Sequence, residues 1–254
     1  MMTILETREL RKIYGSGNTE VRALDGVNLS VEKGEFVAVV GTSGSGKSTL
    51  LHMLGGLDRP TSGTVTVDGR ELSALKDEAL TIFRRRKIGF VFQNYNLVPV
   101  LNVRENIILP IQLDGNQPDK AYVAQIIETL GLESKLQNLP GNLSGGQQQR
   151  VAIARMLMQR APIMIFDDSL SAVDAETDAK IRDALDQNLG GSTVILISHR
   201  ITTLMKADCI LVLSNGQIAQ MGTHQELISQ PGIYRDIYNI QTAQEDQALL
   251  AQEV

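Results

Sequence analysis

Residues 37–54 read VAVVGTSGSGKSTLLHML. A short apolar run leads into a glycine-rich turn, and a segment compatible with a helix follows at once. The turn matches the pattern G-x-x-x-x-G-K-[ST] and stands in the strand, loop and helix order that makes this pattern specific. Backbone amides and a helix amino terminus would face anionic oxygens there. The sequence therefore predicts a phosphate-binding loop at residues 41–49.

The loop carries the side chains that a magnesium nucleoside triphosphate requires. Lys47 would reach the β- and γ-phosphates, and Ser48 would ligate Mg²⁺. Asp167 ends the apolar run 163–166. Alone it would be read as a turn residue, but after a phosphate loop it indicates a second magnesium ligand from a neighbouring strand. The residues of the loop predicted to bind the nucleotide are Gly41, Thr42, Ser43, Gly44, Ser45, Gly46, Lys47, Ser48 and Thr49.

Composition and charge limit the class of protein. The chain has 254 residues, of which 43% are hydrophobic and 21% charged, and its net charge is −5. An acidic balance argues against a broad nucleic-acid surface. No apolar stretch approaches the ~18 residues needed to cross a bilayer, and residues 1–11 lack a signal-peptide core. We expect an intracellular chain that does not itself span a membrane, with Cys209 as a buried strand residue.

The hydrophobic pattern predicts an α/β fold with a central, mostly parallel sheet, and the phosphate loop at residues 41–49 makes this fold one of the P-loop NTPase type. The β-like runs are residues 36–40, 88–92, 163–166, 194–197 and 210–213. Strand patterns at 27–31 and 64–67 indicate an antiparallel β part near the amino terminus. Helical patterns follow at 103–113, 120–130 and 144–159. We therefore predict an ATPase core formed by residues 1–93 and 160–230, an inserted helical subdomain at 94–159 and a helical tail at 231–254.

A second anion-binding device occurs at residues 143–147, Leu-Ser-Gly-Gly-Gln, which begin a helix. With this pentapeptide the chain resembles the ATP-binding-cassette (ABC) family over essentially its whole length. The resemblance implies that Tyr14 stacks on adenine, that Gln93 lies in the loop joining two subdomains and ligates Mg²⁺, that residues 171–174 form a dimer contact, and that His199 is the switch histidine. It also implies that the nucleotide contacts Ser144, Gly145, Gly146 and Gln147 of a second cassette.

The resemblance further implies an ATPase that works in a larger assembly. Two cassettes would pack head to tail and sandwich each ATP, so one chain would hold only half-sites. Hydrolysis would release the dimer and drive an integral membrane permease, which places the chain peripherally on the cytoplasmic face of the inner membrane. No nucleic-acid partner is expected. A soluble family member acting on DNA or ribosomes is the rival, but such proteins generally carry two cassettes or a coiled-coil insertion. The catalytic residues would be Asp168, His199, Gln93 and Lys47.

Asp168 departs from the family pattern, which has glutamate at this position to polarise the attacking water. The shorter side chain withdraws the carboxylate by roughly 1.5 Å, and misplacements of ~1 Å can cost about a hundredfold in rate. Slow hydrolysis is therefore one hypothesis. A regulatory, weakly hydrolysing subunit that relies on a partner cassette is the alternative.

The resemblance changes along the chain. Residues 53–63 and 88–97 are similar to ATPases of the lipoprotein-release and macrolide-efflux type. Residues 166–174, 197–202 and 222–227 are instead similar to the nucleotide-binding domains of fused half-exporters, particularly the degenerate partner of heterodimers. A natural recombinant and an engineered chain are both compatible with this pattern. In this family the surface that contacts the membrane partner lies around the Gln93 loop and the helical subdomain, and in this chain both resemble the first type. We therefore favour a separate permease subunit over a half-exporter membrane domain.

Overall fold

The computed structural model describes residues 2–168 and 191–252. The chain divides into two compact units. The first comprises Met1–Ser73 with Leu196–Val254, and the second comprises Ala74–Ile195. Both units combine strands with helices, so the predicted α/β class is confirmed.

Strands and helices are numbered here in chain order over the described residues. The strands are β1 (Thr3–Tyr14), β2 (Val21–Glu32), β3 (Phe36–Gly41), β4 (Ser62–Val67), β5 (Arg70–Glu71), β6 (Ile88–Val91), β7 (Ile163–Phe166), β8 (Thr193–Ile197), β9 (Cys209–Ser214) and β10 (Gln217–Gly222). The helices are α1 (Lys47–Leu54), α2 (Asp77–Lys87), α3 (Val103–Leu113), α4 (Lys120–Thr129), α5 (Gly145–Met158), α6 (Ile201–Leu204), α7 (His224–Ser229) and α8 (Ile233–Gln252). Short 3₁₀ turns lie at Gly17–Thr19, Leu72–Ala74, Glu133–Lys135 and Pro140–Asn142.

The first unit contains an antiparallel sheet in the order β2-β1-β4-β5. Strand β1 pairs antiparallel with β2 and with β4. On β2, Val27, Leu29 and Val31 are buried while the residues between them are exposed. This alternation is typical of a sheet with one face on the core. It confirms the antiparallel β part predicted near the amino terminus.

Strand β3 lies in the parallel part of the first unit. It pairs parallel with β9, which pairs antiparallel with β10. Residues 37–40 are all buried, as expected for a strand of a parallel sheet covered on both faces. Helices α6, α7 and α8 contribute to the same core. The core residues around β3 include Ala38, Val40, Leu204, Ile210, Val212, Leu227 and Tyr234.

The second unit joins a parallel strand pair to capped helices. Strand β6 pairs parallel with β7, and every residue of β7 is buried. A Cβ atom on Gly89 would lie 2.6 Å from Cγ of Met156, so β6 and α5 approach closely. Helix α3 begins with a capping box between Asn102 and Glu105, and the side chain of Asp119 caps α4. Such caps satisfy amides that a helix start leaves unpaired.

Two further sequence expectations concern the fold. Cys209 lies half-buried at the start of β9, and burial raises the pKa of its thiol to about 11, which makes it a poor nucleophile at neutral pH. Across residues 2–168 and 191–252, we find no helix with the length and apolar character that crossing a membrane requires. The division into residues 1–93 with 160–230, 94–159 and 231–254 stays a prediction.

Candidate functional site

The phosphate loop connects β3 to α1 in the first unit. Strand β3 ends at Gly41 and helix α1 begins at Lys47. The backbone N–H of Ser45 donates to the carbonyl of Thr42 at 3.2 Å, which closes a turn inside the loop. The carbonyl of Ser45 accepts from the N–H of Gly216, in the turn between β9 and β10, at 3.1 Å. The loop is therefore held from both within and outside its own segment.

Two glycines of the loop have no room for a side chain. Gly46 has φ 102°, and a Cβ atom there would lie 2.3 Å from the carbonyl oxygen of Ala23. Gly41 has φ 149°, and its Cβ would lie 2.3 Å from the carbonyl oxygen of Leu213. Real Cβ atoms do not approach backbone oxygen this closely. The glycines let the loop lie directly against its neighbouring strands and adopt a conformation that other residues disfavour.

Lys47 and Ser45 are two of the polar side chains of the loop. The ammonium of Lys47 donates to the carbonyl oxygens of Gly41 and Thr42, both at 2.8 Å, so it lies across the loop. Ser45 is only 3% exposed, and its hydroxyl has no hydrogen-bond partner among the residues that the structure describes. A buried hydroxyl of this kind ordinarily has a partner. The Lys47 ammonium, the Ser45 hydroxyl and the closely packed backbone at Gly41 and Gly46 all fit a phosphate group.

Tyr14, the predicted adenine-binding residue, ends β1 and is 41% exposed. Its hydroxyl donates to Oδ2 of Asp58 at 3.1 Å and is also hydrogen-bonded to the side chain of Thr49. Burial of the hydroxyl, together with the acceptor Asp58, raises the pKa of Tyr14. The structure thus brings Tyr14 and Thr49, two predicted binding residues, into contact.

In the second unit, Asp167 and Gln93 follow strands that are paired. Val91 of β6 is in register with Phe166 of β7, and the N–H of Asp167 continues the pairing by donating to the carbonyl of Val91 at 3.0 Å. Asp167 is buried, whereas Gln93 is exposed in a turn closed by the N–H of Tyr95. The two predicted magnesium ligands of this unit therefore lie at the same end of a strand pair.

Asp168 and His199 are the remaining predicted catalytic side chains. Asp168 has φ 46°, in the left-handed region, where aspartate is among the better tolerated side chains. His199 is exposed and comes two residues after the end of β8. It belongs to the first unit, and Asp168 to the second. The predicted dimer contact at residues 171–174 lies outside the described residues.

The Ser-Gly-Gly segment begins α5 in the second unit. Ser144 is the N-cap: its hydroxyl accepts from the N–H of Gln147 at 3.3 Å, and the Gln147 side chain accepts from the N–H of Ser144 at 2.9 Å. Ser144 and Gly145 are exposed, and a Cβ on Gly145 would meet no atom within 4 Å among residues 2–168 and 191–252. The segment is therefore an ordered helix start with an open face.

Three side chains that were not predicted from the sequence contact these predicted residues or the segment beside them. Lys12 and Asp58 surround Tyr14 in the first unit. In the second unit Arg155 donates to the carbonyls of Tyr95 and Asn96, just after Gln93. Nothing in the spacing of the sequence identifies them, because each acts through a contact between distant segments. His224, which the sequence analysis left structural, bonds to the hydroxyl of Tyr234 at 2.6 Å in the first unit.

A phosphate loop after a buried parallel strand, and a capped Ser-Gly-Gly helix start in the same chain, define a nucleotide-binding P-loop domain of the cassette type. The sequence pattern of the family described as ABC transporter matches residues 24–171. The chain belongs to the ABC transporter family.

Curated relatives and solved structures agree with this assignment. The chain is 40% identical over 238 residues to the macrolide export ATP-binding/permease protein MacB of Hyphomonas neptunium, covering 91% of this chain and 37% of that protein. It is 42% identical over 203 residues to the lipoprotein-releasing system ATP-binding protein LolD of Geobacter metallireducens, covering 78% of this chain and 90% of that protein. The chain thus spans about a third of the length of its macrolide export relatives.

Among solved structures, the chain resembles the ATP-binding cassette MJ0796 in a dimeric post-hydrolysis state bound to ADP and Pi. The TM-score is 0.81 at 36% sequence identity, and the match covers 87% of this chain and 98% of that one. The predicted cassette fold is therefore confirmed over most of the chain.

Proposed function

We propose that this chain binds Mg-ATP on residues 41–49 and hydrolyses it to drive a membrane permease. The observation that carries the proposal is the phosphate loop: two glycines without room for a Cβ atom, the Lys47 ammonium across the loop, and the buried Ser45 hydroxyl, which has no hydrogen-bond partner in the described part of the chain. The names of the relatives, an export ATP-binding/permease protein and a lipoprotein-releasing ATP-binding protein, support the transport role. They favour a transporter ATPase over the regulatory-subunit alternative.

Binding would follow from the groups that the first unit presents. Lys47 would exchange its two carbonyl acceptors for phosphate oxygens, and the amino terminus of α1 would add its partial positive charge. The ring of Tyr14 would stack on adenine. Mg²⁺, held by Ser48, Gln93 and Asp167, would neutralise charge on the phosphates. The residues that would hold it supply the oxygen ligands that this cation prefers.

Hydrolysis would transfer the γ-phosphoryl group to water. The carboxylate of Asp168 would orient the attacking water and draw on its proton, while the bond between the γ-phosphorus and the bridging oxygen breaks to leave ADP. His199 would contact the γ-phosphate and report whether it is present. Asp168 is one methylene shorter than glutamate, so we expect this step to be slow.

A second cassette would complete the site. The Ser144 segment is exposed, ordered and open in front of Gly145, as a surface that receives a phosphate from another chain must be. We therefore propose a head-to-tail dimer in which Ser144, Gly145, Gly146 and Gln147 of one cassette contact ATP bound to the other. The dimeric relative bound to ADP and Pi supports this arrangement.

The permease would be an integral membrane partner, which would place the chain peripherally at the cytoplasmic face of the membrane. We propose that it contacts the helical subdomain, residues 94–159, and the loop after Gln93. Exposed apolar side chains in this stretch, Val100, Leu113 and Leu139, support this choice. Purification in detergent should recover the chain with an integral membrane protein.

Equilibrium binding of ATP tests the proposal. Lys47→Ala should weaken ATP binding at least tenfold, since it removes the only charged group of the loop. Lys33→Ala is the matched control, because Lys33 is exposed and outside the loop. Equal affinity for ATP in the wild type and Lys47→Ala would reject the site. Failure of ATP to promote dimers of the Asp168→Asn variant would reject the arrangement in which two cassettes share each ATP.

A further inference from the structure

Tyr14 stands within a connected group of four side chains, of which only Thr49 belongs to the phosphate loop. We name Lys12, Tyr14, Thr49 and Asp58 the Tyr14 cluster. Lys12 and Tyr14 lie at the end of β1, Thr49 lies in α1, and Asp58 follows α1. All four belong to the first unit.

Asp58 is the centre of the cluster. Its Oδ1 accepts from the ammonium of Lys12 at 2.8 Å and from the backbone N–H of Arg59 at 2.7 Å, and its Oδ2 accepts from the hydroxyl of Tyr14 at 3.1 Å. Partial burial alone would raise the pKa of Asp58, but these donors outweigh it and hold the pKa below its usual value. The carboxylate is therefore ionised at neutral pH and keeps all three donors in place.

Lys12 covers one face of the Tyr14 ring. Its ammonium also donates to the carbonyl of Arg59 at 2.8 Å and lies 4.9 Å from the centroid of the Tyr14 ring. The Lys12 side chain is only 13% exposed, so the ammonium is held against the ring and not free in solvent. A cation over an aromatic face is attractive and occupies that face. One face of Tyr14 is covered, and a base can stack only on the other.

The hydroxyl bond to Thr49 ties the ring to the phosphate loop. Tyr14 is exposed, and an exposed aromatic side chain without partners would sample several rotamers, whose loss on binding reduces affinity. Here Asp58 and Thr49 hold the hydroxyl end of the ring while Lys12 covers one face. The ring is oriented relative to the loop before a nucleotide arrives.

We propose that Asp58 is a positioning residue for adenine recognition and that Lys12 restricts stacking to one face of Tyr14. The inference rests on the proposed function, because it requires that the ligand of Tyr14 be the adenine base of ATP. Asp58 acts through Tyr14 and Lys12, not through the phosphates. Its removal therefore weakens binding of the base but not of the phosphate chain.

Two ligands separate these contributions: ATP and inorganic tripolyphosphate, which has the phosphates without the base. Asp58→Ala should weaken ATP binding about tenfold, through lost ordering of the ring, and leave tripolyphosphate binding unchanged. Asp58→Asn keeps an oxygen acceptor and should restore much of the ATP affinity. Tyr14→Phe combined with Asp58→Ala should cost less than the two single changes together, because both break the same bond.

Asp25→Ala is the matched control, since it breaks the 3.2 Å ion pair between Asp25 of β2 and Arg11 of β1, neither of which belongs to the Tyr14 cluster. An equal loss of ATP and tripolyphosphate binding in both Asp58 variants would overturn the inference, because it would indicate a general structural role. Tyr14→Ala separates the adenine contact of Tyr14 from the positioning role of Asp58. If Tyr14→Ala leaves ATP affinity unchanged, the adenine contact of the proposed function fails; if Tyr14→Ala weakens ATP binding but Asp58→Ala does not, only the positioning role fails.

Discussion

Replacing Arg155 with alanine should release the segment that follows Gln93. Arg155 lies in the last turn of α5, and its guanidinium donates to the carbonyl of Asn96 at 2.8 Å and to the carbonyl of Tyr95 at 2.9 Å. Tyr95 has φ 59° and Asn96 has φ 46°. Consecutive non-glycine residues in the left-handed region persist only where other contacts hold them. Arg155 provides two such contacts.

The magnitude follows from these two bonds. A hydrogen bond from a charged donor contributes about 1.5–3 kcal/mol, and burial lowers the pKa of the Arg155 guanidinium, so the donor is substantially desolvated. Asn96 is exposed, so water replaces one lost bond. We therefore expect Arg155→Ala to lower the free energy of unfolding by about 2 kcal/mol. Arg155→Lys should lower it by about 1 kcal/mol, because an ammonium lacks the planar fork with which the guanidinium reaches two neighbouring carbonyls.

Urea denaturation measures the free energy, and hydrogen exchange locates the change. The amides of Tyr95 and Asn96 donate within the turn to the carbonyls of Phe92 and Asn94, and both should exchange faster in Arg155→Ala. The exposed Arg104, changed to alanine, controls for loss of one positive charge. If Arg155→Ala loses stability while hydrogen exchange at the amides of Tyr95 and Asn96 is unchanged, Arg155 does not hold the segment that follows Gln93.

Three further outcomes are expected. Gly46→Ala should weaken ATP binding about a hundredfold in equilibrium binding, because its Cβ would displace the loop from Ala23. Gly44→Ala shares the cost of a left-handed φ, 76°, but no atom of the described residues lies within 4 Å of its Cβ, so it should weaken binding far less. Equal losses in the two variants would reject the steric explanation. Asp168→Glu should raise the ATPase rate of the assembled complex, and no increase would reject the explanation based on side-chain length. Burial raises the pKa of the Tyr234 hydroxyl to about 12 from 10.0, so the folded state is stabilised while this hydroxyl stays protonated. This contribution is complete below pH 10.0 and is lost as the pH rises through about 12. Tyr234→Phe should lack that alkaline loss in denaturation measured from pH 9 to 12; an identical pH profile would contradict it.

The elements that local patterns determine were predicted well. Helix α3 occupies Val103–Leu113, the range predicted from spacing, and the capping box at Asn102 marks its start. Strand β7 also matches its predicted range, because four consecutive apolar residues lie between turns. By contrast, β1 (Thr3–Tyr14) was not predicted. Its many charged residues hide the alternation, and the strand forms by pairing with the distant β2 and β4.

The same distinction separates the predictable and the unpredictable parts of the site. The glycines of the phosphate loop are visible in the sequence because one short segment must bend sharply against its neighbours. The contact of Tyr14 with Asp58 joins residues 44 positions apart, and that of Arg155 with Tyr95 joins residues 60 apart. Tertiary structure alone brings these pairs together. A single sequence carries no periodic signal for them.

The position of Lys47 has a consequence for selectivity. Because its ammonium already has two carbonyl acceptors, a ligand gains from this residue only the difference between its own oxygens and those of Gly41 and Thr42. A neutral hydroxyl or amide offers no better acceptor than a carbonyl and so gains almost nothing, whereas a phosphate oxygen adds a full negative charge. A ligand must therefore replace the carbonyls of the loop itself as acceptors for Lys47, and we expect this exchange to favour polyanions over neutral metabolites.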